Sequence, residues 1–267
     1  MRKFSLFEKV YINCLIPFVT LKILMRSLCF DKKEKNAIRS GRPLTGVKKG
    51  AMSKDYSVED VKKVGKKFGV TINDVLMTIT SVSLKEYLEA KGDLKAKTIK
   101  LSMPISLREP PNTVEEFKLQ NSFAMVTIPL SLYSDFESGL KKVKQQMDAL
   151  KSSIEPFAMY FFVKLGTFLP TILSKLIAID QANKLSLVFT NVPGPKTPLV
   201  FTGKKVDKLI FFAPALGSLS GSLSIVSHVN CIKIGCVSDE SQIDDPILMI
   251  DLFNKNFEKA LKTIKDQ

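Results

Sequence analysis

Histidine is almost absent from this chain. One occurs in 267 residues, His228, and there is no tryptophan. Acid–base and covalent catalysis near neutral pH usually needs a group that titrates there, and an imidazole is the common choice. His228 lies in SIVSHVNCIKIG, beside an expected hairpin turn, with no acidic residue within four positions on either side. It reads as a structural or solvent-facing side chain. The four cysteines (Cys14, Cys29, Cys231, Cys236) form no CxxC pair, so neither a zinc-ribbon spacing nor a redox pair is present. Cys231 and Cys236 fall in one expected strand at odd spacing, which points them to opposite faces. GxSxG elbows, Walker loops, GxGxxG fingerprints and metal-spaced His/Cys sets are missing too. The residues alone therefore supply no self-sufficient active site, no metal set and no bound cofactor.

Long apolar runs are also missing. Phe4, Phe7, Tyr11, Cys14, Phe18, Leu21, Met25 and Leu28 recur at helical spacing, which predicts an amphipathic helix over 1–30. Pro17, Lys9, Lys22 and Arg26 keep it short of the roughly 20 apolar residues a bilayer span needs. No small-residue cleavage site follows it, which excludes a signal peptide. Two readings stay open: a helix lying on a membrane surface, or one packed on the fold.

What is present is a globular composition, with 45% hydrophobic residues, enough to fill a core. Lys+Arg number 40 against 26 Asp+Glu, a net charge of +14. The excess sits in front: residues 1–69 hold 17 basic and 6 acidic side chains. Such a face suits anionic lipid or a phosphorylated ligand. No nucleic-acid-binding motif accompanies the charge, so nucleic acid is not an expected partner.

Residues 31–56 are polar, basic and broken by Gly41, Pro43, Gly46 and Gly50, and read as a linker. A third segment, 57–267, carries the remaining pattern. Ser57 with Asp60, Thr71 with Asp74 and Ser134 with Glu137 are capping pairs that open three helices. Ile99, Leu101, Met103 and Ile105 alternate as a strand does, and Phe123–Leu130, Leu185–Thr190, Leu209–Ala213 and a hairpin over Leu223–Val237 are further strands. Pro156–Ile179 is the most apolar segment, broken by Lys164, Gly166, Pro170 and Lys175. It predicts a helical hairpin, buried or dipping into a membrane interface. Helices and strands mix without a βαβ repeat, so the fold class is α/β (α+β), a mixed sheet with helices on one side.

Four stretches stand in a fixed order: FGVTINDVLMTI, LSMPISLREPPN, LQNSFAMVTIPL and LVFTNVPGPKTPLVFTGKKV. Together they resemble the wax ester synthase/diacylglycerol acyltransferase family, most specifically over Ser40–Asp239. The resemblance implies one half of a chloramphenicol acetyltransferase-like, CoA-dependent fold, in which two α/β halves enclose a tunnel. It implies acyl-CoA as co-substrate and a diacylglycerol or long-chain alcohol as acceptor. The products would be triacylglycerol or wax ester, made at the cytoplasmic face of the endoplasmic reticulum, plasma membrane or lipid droplet. The family's HHxxxDG motif, whose histidine activates the acceptor hydroxyl, is absent here. The chain thus resembles the C-terminal half, with the imidazole on a histidine-bearing N-terminal half. The alternative is a catalytically inactive lipid-surface binding or scaffold protein.

The same resemblance implies the site residues. Asn73 and Asp74 match an Asn-Asp pair near the tunnel. Asn73 is the tunnel-lining candidate, whereas Asp74 has a competing duty as the capping partner of Thr71. Ser106 and Arg108 end a strand, where the arginine meets a CoA phosphate or a bracing carboxylate. Asn121 matches a Gly-Asn pair, although Gln120 replaces the glycine. Thr190, Asn191, Pro193, Gly194 and Pro195 are expected in the tunnel wall, with a purely structural turn as the alternative. Each proline fixes its own φ and restricts its predecessor, so the turn is stiff.

Overall fold

A computed structural model describes residues 6–29, 33–108, 122–214, 219 and 221–264. In chain order the elements begin with α1 (Leu6–Cys29), β1 (Lys48–Met52), β2 (Tyr56–Ser57), α2 (Val58–Phe68), α3 (Ile72–Ala90), β3 (Thr98–Ser106) and β4 (Phe123–Ser131). They continue with α4 (Phe136–Ser152), α5 (Glu155–Gly166), α6 (Thr171–Asn183), β5 (Leu187–Pro193), β6 (Val200–Phe201), β7 (Lys204–Lys205), β8 (Gly221–His228), β9 (Cys231–Asp239) and α7 (Pro246–Lys262).

The main sheet runs β1-β9-β8-β5-β3-β4, with β2 also on β9. Its centre is parallel: β3 pairs with β5, and β5 with β8. Its edges are antiparallel, β4 on β3, β9 on β8 and β1 on β9. The mixed sheet expected from the pattern is therefore present.

Alternation along the strands decides where the core sits. Leu101, Val126, Ile128, Leu187, Phe189, Leu223, Ile225, Ile232 and Ile234 face one side, in a single core with α2, α3, α4 and α7. Helix α3 is at its centre, with Val75, Leu76, Ile79, Leu84, Tyr87 and Leu88 almost fully buried. Each such side chain contributes about 1.5–3 kcal/mol. The main helical layer thus covers one face. Helix α5 packs on the edge strand β4 and α1 packs on α5, and Thr127, on the face away from Val126 and Ile128, lines a small cavity with residues of both. Cys236 lies in the core while Cys231, on the other face of β9, does not.

The caps explain the helix ends. Ser57 Oγ accepts from the Asp60 amide at 3.2 Å, and α2 stops at Gly69 with φ 64°. Helix α4 is capped by Asp135, which accepts from the Ser138 amide at 2.9 Å, not by Ser134. The carboxylate one residue later reaches that amide directly. The apolar segment 156–179 forms two helices, α5 and α6, broken between Gly166 and Pro170.

Two further expectations need correction. The segment read as a linker over 31–56 holds β1 and β2, paired on β9. It also buries Arg39, whose guanidinium donates to Leu185 O and Asn183 Oδ1, both at 2.9 Å. The exposed side chains of β1 disguise it as a polar connection. Leu209–Ala213 is no strand: it lies across β8, where Ser222 Oγ donates to Ala213 O at 2.6 Å and Ala213 N donates to Ser224 Oγ at 2.9 Å. Helix α7 does not appear in the sequence reading at all. Its Asp245 cap and Pro246 in the first turn are ordinary start signals.

Candidate functional site

Because β3, β5 and β8 are parallel, their carboxyl ends leave the sheet at one edge. Ser106, Pro193 and His228 are the last residues of those strands. In open α/β sheets this edge is where ligands bind. The register pairs Pro193 with Ser227, so the Pro193-Gly194-Pro195 turn starts beside the end of β8.

Helix α3 brings its amino end to the same place. Asn191 Nδ2 donates to Asn73 Oδ1 at 2.7 Å, joining the end of β5 to the first turn of α3. Asn73 is exposed and Asn191 half-buried, so this amide pair borders open space. Asp74, the next residue, is turned inward and fully buried. Its Oδ2 accepts from the Thr71 amide at 2.9 Å and from the Thr71 hydroxyl at 2.8 Å, while the Asp74 amide donates to Thr71 Oγ1 at 3.3 Å. Oδ1 has no hydrogen-bond partner among the described residues and faces Lys151 Nζ at 3.6 Å. In this geometry the carboxylate closes the helix and binds α4 to it.

The proline-rich turn is held by more than its prolines. Gly194 N donates to Ser227 Oγ at 3.2 Å, and Val229 N donates to Pro195 O at 2.9 Å. A Cβ on Gly194 would lie 1.9 Å from Ser227 O, so only glycine lets the two backbones approach this closely. Further on, Leu199 N donates to His228 Nε2 at 3.4 Å. His228 is buried, and its Nδ1 has no hydrogen-bond partner among the described residues. The imidazole therefore anchors the loop beneath the surface and presents no nitrogen to the open edge.

The other candidates are placed less closely together. Thr190 precedes Asn191 in β5 and shares the face of Val188, opposite Leu187, Phe189 and Asn191. Ser106 and Arg108 stand exposed at the end of β3, where the Arg108 amide donates to Ser106 Oγ at 3.3 Å. Among the described residues no carboxylate pairs with the Arg108 guanidinium. Asn121 lies outside the described residues. No group of three or more His, Cys, Asp or Glu able to hold a metal occurs among the described residues.

The WS/DGAT C-terminal domain family matches residues 119–264, more than half of the chain. The chain belongs to that family. It is 26% identical over 265 residues to wax ester synthase/diacylglycerol acyltransferase 1 of Arabidopsis thaliana, covering 91% of this chain and 54% of that protein. It is 24% identical over 194 residues to the O-acyltransferase WSD of Acinetobacter baylyi, covering 70% and 40%. The wax ester synthase/diacylglycerol acyltransferase of Marinobacter aquaeolei VT8 superposes with a TM-score of 0.59 at 17% identity, over 94% of this chain and 58% of that one. At that identity the likeness shows the fold. The chain spans about half the length of the curated relatives it matches.

Within this WS/DGAT domain the residues that shape the site include two that motif reading passes over, Ser227 and Lys151. Neither has a sequence signal: each acts through a partner more than thirty residues away. Thr190 and Asn191, read together as wall residues, fall on opposite faces of β5 because side chains alternate along a strand.

Proposed function

We propose that this chain is the C-terminal half of an acyl-CoA-dependent O-acyltransferase that esterifies diacylglycerol or a long-chain alcohol. The observation that carries the proposal is the joining of Asn73 to Asn191 at 2.7 Å, at the carboxyl edge of three parallel strands in a WS/DGAT domain. In the reaction the acceptor oxygen attacks the thioester carbonyl, its proton passes to a base, the carbon–sulfur bond breaks and CoA leaves as the thiol. This half contributes walls rather than a base. The amide pair and the stiff Pro193–Pro195 turn hold their shape without rearrangement, which keeps reacting atoms aligned. Arg108, exposed at the same edge and without a carboxylate partner among the described residues, is suited to a CoA phosphate.

The base is assigned elsewhere, to a histidine-bearing half, because the one imidazole here is buried under the loop it anchors. Lipid acceptors are in keeping with work at a membrane surface, and the family resemblance is the ground for choosing its cytoplasmic face. The test mixes purified chain, labelled acyl-CoA and diacylglycerol, with and without a polypeptide carrying the HHxxxDG half. Ester is expected only when both halves are present. Turnover by this chain alone would overturn the assignment of the base, and no ester from the combination would leave an inactive lipid-binding protein.

A further inference from the structure

Soluble helices turn their apolar stripe inward, and two helices here do the opposite. In α6, Ile172, Leu176 and Ile179 recur at i, i+4 and i+7, yet all are exposed, Ile172 by 77%. In α1, Phe18, Leu21 and Met25 recur at i, i+3 and i+7, and Phe18 is 71% exposed. Between α5 and α6, Phe168 is 85% exposed.

These helices form one cluster. Thr20 Oγ1 of α1 donates to Ala158 O of α5 at 3.3 Å, and Ser174 Oγ of α6 donates to Gly166 O of α5 at 2.9 Å. Residues of all three line one small cavity beside Thr127 of β4. An apolar surface of this kind marks an interaction site.

Charge identifies the occupant. No acidic residue occurs from Pro156 to Ile179. The flanking acids are neutralised within the cluster, Glu155 by Arg26 at 3.5 Å and Asp180 by Lys184. Lys22 and Lys175 lie within the two stripes and have no ion-pair partner among the described residues. Apolar stripes edged with uncompensated lysines fit the headgroup–acyl boundary of an anionic bilayer. No helix among the described residues is long and apolar enough to cross one. We propose that the α1–α5–α6 cluster docks this chain onto an anionic membrane surface by shallow insertion of the α6 and α1 stripes.

The proposal deepens the acyl-transfer reading by stating how the chain would meet a lipid acceptor. Its readout is vesicle binding without esterification, so either can fail alone. Flotation compares the full chain on vesicles of pure phosphatidylcholine and on vesicles with one-third phosphatidylserine. Binding is expected to be at least tenfold tighter on the anionic vesicles and to weaken with salt. Ile172→Asp/Leu176→Asp/Ile179→Asp, checked for unchanged circular dichroism, should lose at least tenfold. Lys22→Glu/Lys175→Glu should lose about fivefold or more per lysine on anionic vesicles only.

Absence of binding to either vesicle, or unchanged binding by the α6 variant, would overturn the proposal. So would sedimentation showing a dimer that the α6 variant splits, which would make this face a contact between copies. Loss of vesicle binding on adding the histidine-bearing half would likewise give the face to that half.

Discussion

Asn191 and Asn73 are 118 positions apart in the chain, and their side-chain amides meet at 2.7 Å. This contact fixes the start of α3 against the end of β5 where the backbone makes no ladder between them. A net contribution of about 0.5–1.5 kcal/mol is expected for such a bond. Asn73→Ala and Asn191→Ala should each lower stability by that order. The double variant should fall short of their sum by about 0.5–1 kcal/mol. Denaturant midpoints of the four proteins measure this, and strict additivity would mean the amides do not couple.

Gly194 makes a sharper prediction. Its missing Cβ leaves room for Ser227 O, which would otherwise be 1.9 Å away. Gly194→Ala must push the turn off β8 or strain it, at a cost of about 3 kcal/mol. Gly166→Ala is the control, because nothing among the described residues lies within 4 Å of a Cβ there. In the last turn of α5 an alanine should leave stability unchanged or raise it by about 0.5 kcal/mol. Thermal melts of the two variants should therefore differ in sign or differ widely.

The pH dependence of folding should carry the mark of Asp239. Burial raises the pKa of this carboxyl, but bonds from the Ser241 hydroxyl and from the amides of Thr45, Ser241 and Gly46 outweigh burial and hold it well below the usual range. Lys48 Nζ adds an ion pair at 3.3 Å. Because the folded value lies below the unfolded one, near 3.9, the unfolded chain takes up more protons at acid pH. The stabilisation is then complete above about pH 5 and is lost as pH falls through the folded value. Asp239→Asn should be less stable at pH 7 by about 2 kcal/mol, since an amide donor would face backbone donors. Its urea midpoint should also change less between pH 5 and pH 3 than that of the wild type. Parallel slopes would mean the carboxylate is not held as described.

Much of the scaffold is visible in the sequence where a local signal decides the structure. Ser57, Thr71 and Gly69 mark helix ends that form as expected, because caps act within one turn. The strand expected over Leu185–Thr190 forms as β5, Leu187–Pro193, and the turn at Val229–Asn230 joins β8 to β9 as turn chemistry suggests. Apart from α7, whose start signals are local, the parts that differ from the expectation are settled at long range. Residues 48–52 form a strand only because β9 offers an edge. Leu209–Ala213 has strand composition, yet the hydroxyls of Ser222 and Ser224 take its backbone bonds before any sheet can. The stiffness of the turn was legible from Pro193 and Pro195. The need for glycine between them was not, because it comes from the carbonyl of Ser227 on another strand.

His228 supplies the last test, because two roles for it lead to opposite outcomes. Buried beneath the loop, with Nε2 accepting from Leu199 N at 3.4 Å, the imidazole should matter for stability and little for chemistry. His228→Ala leaves that amide unmatched and opens a cavity, at about 1–3 kcal/mol. In the combined assay with the histidine-bearing half, ester formation below the melting temperature should stay within about threefold of wild type. A base removed from an acyltransferase costs about a hundredfold or more. A loss of that size with the fold intact would move the proton-accepting role to His228 and take away the reason for a second half.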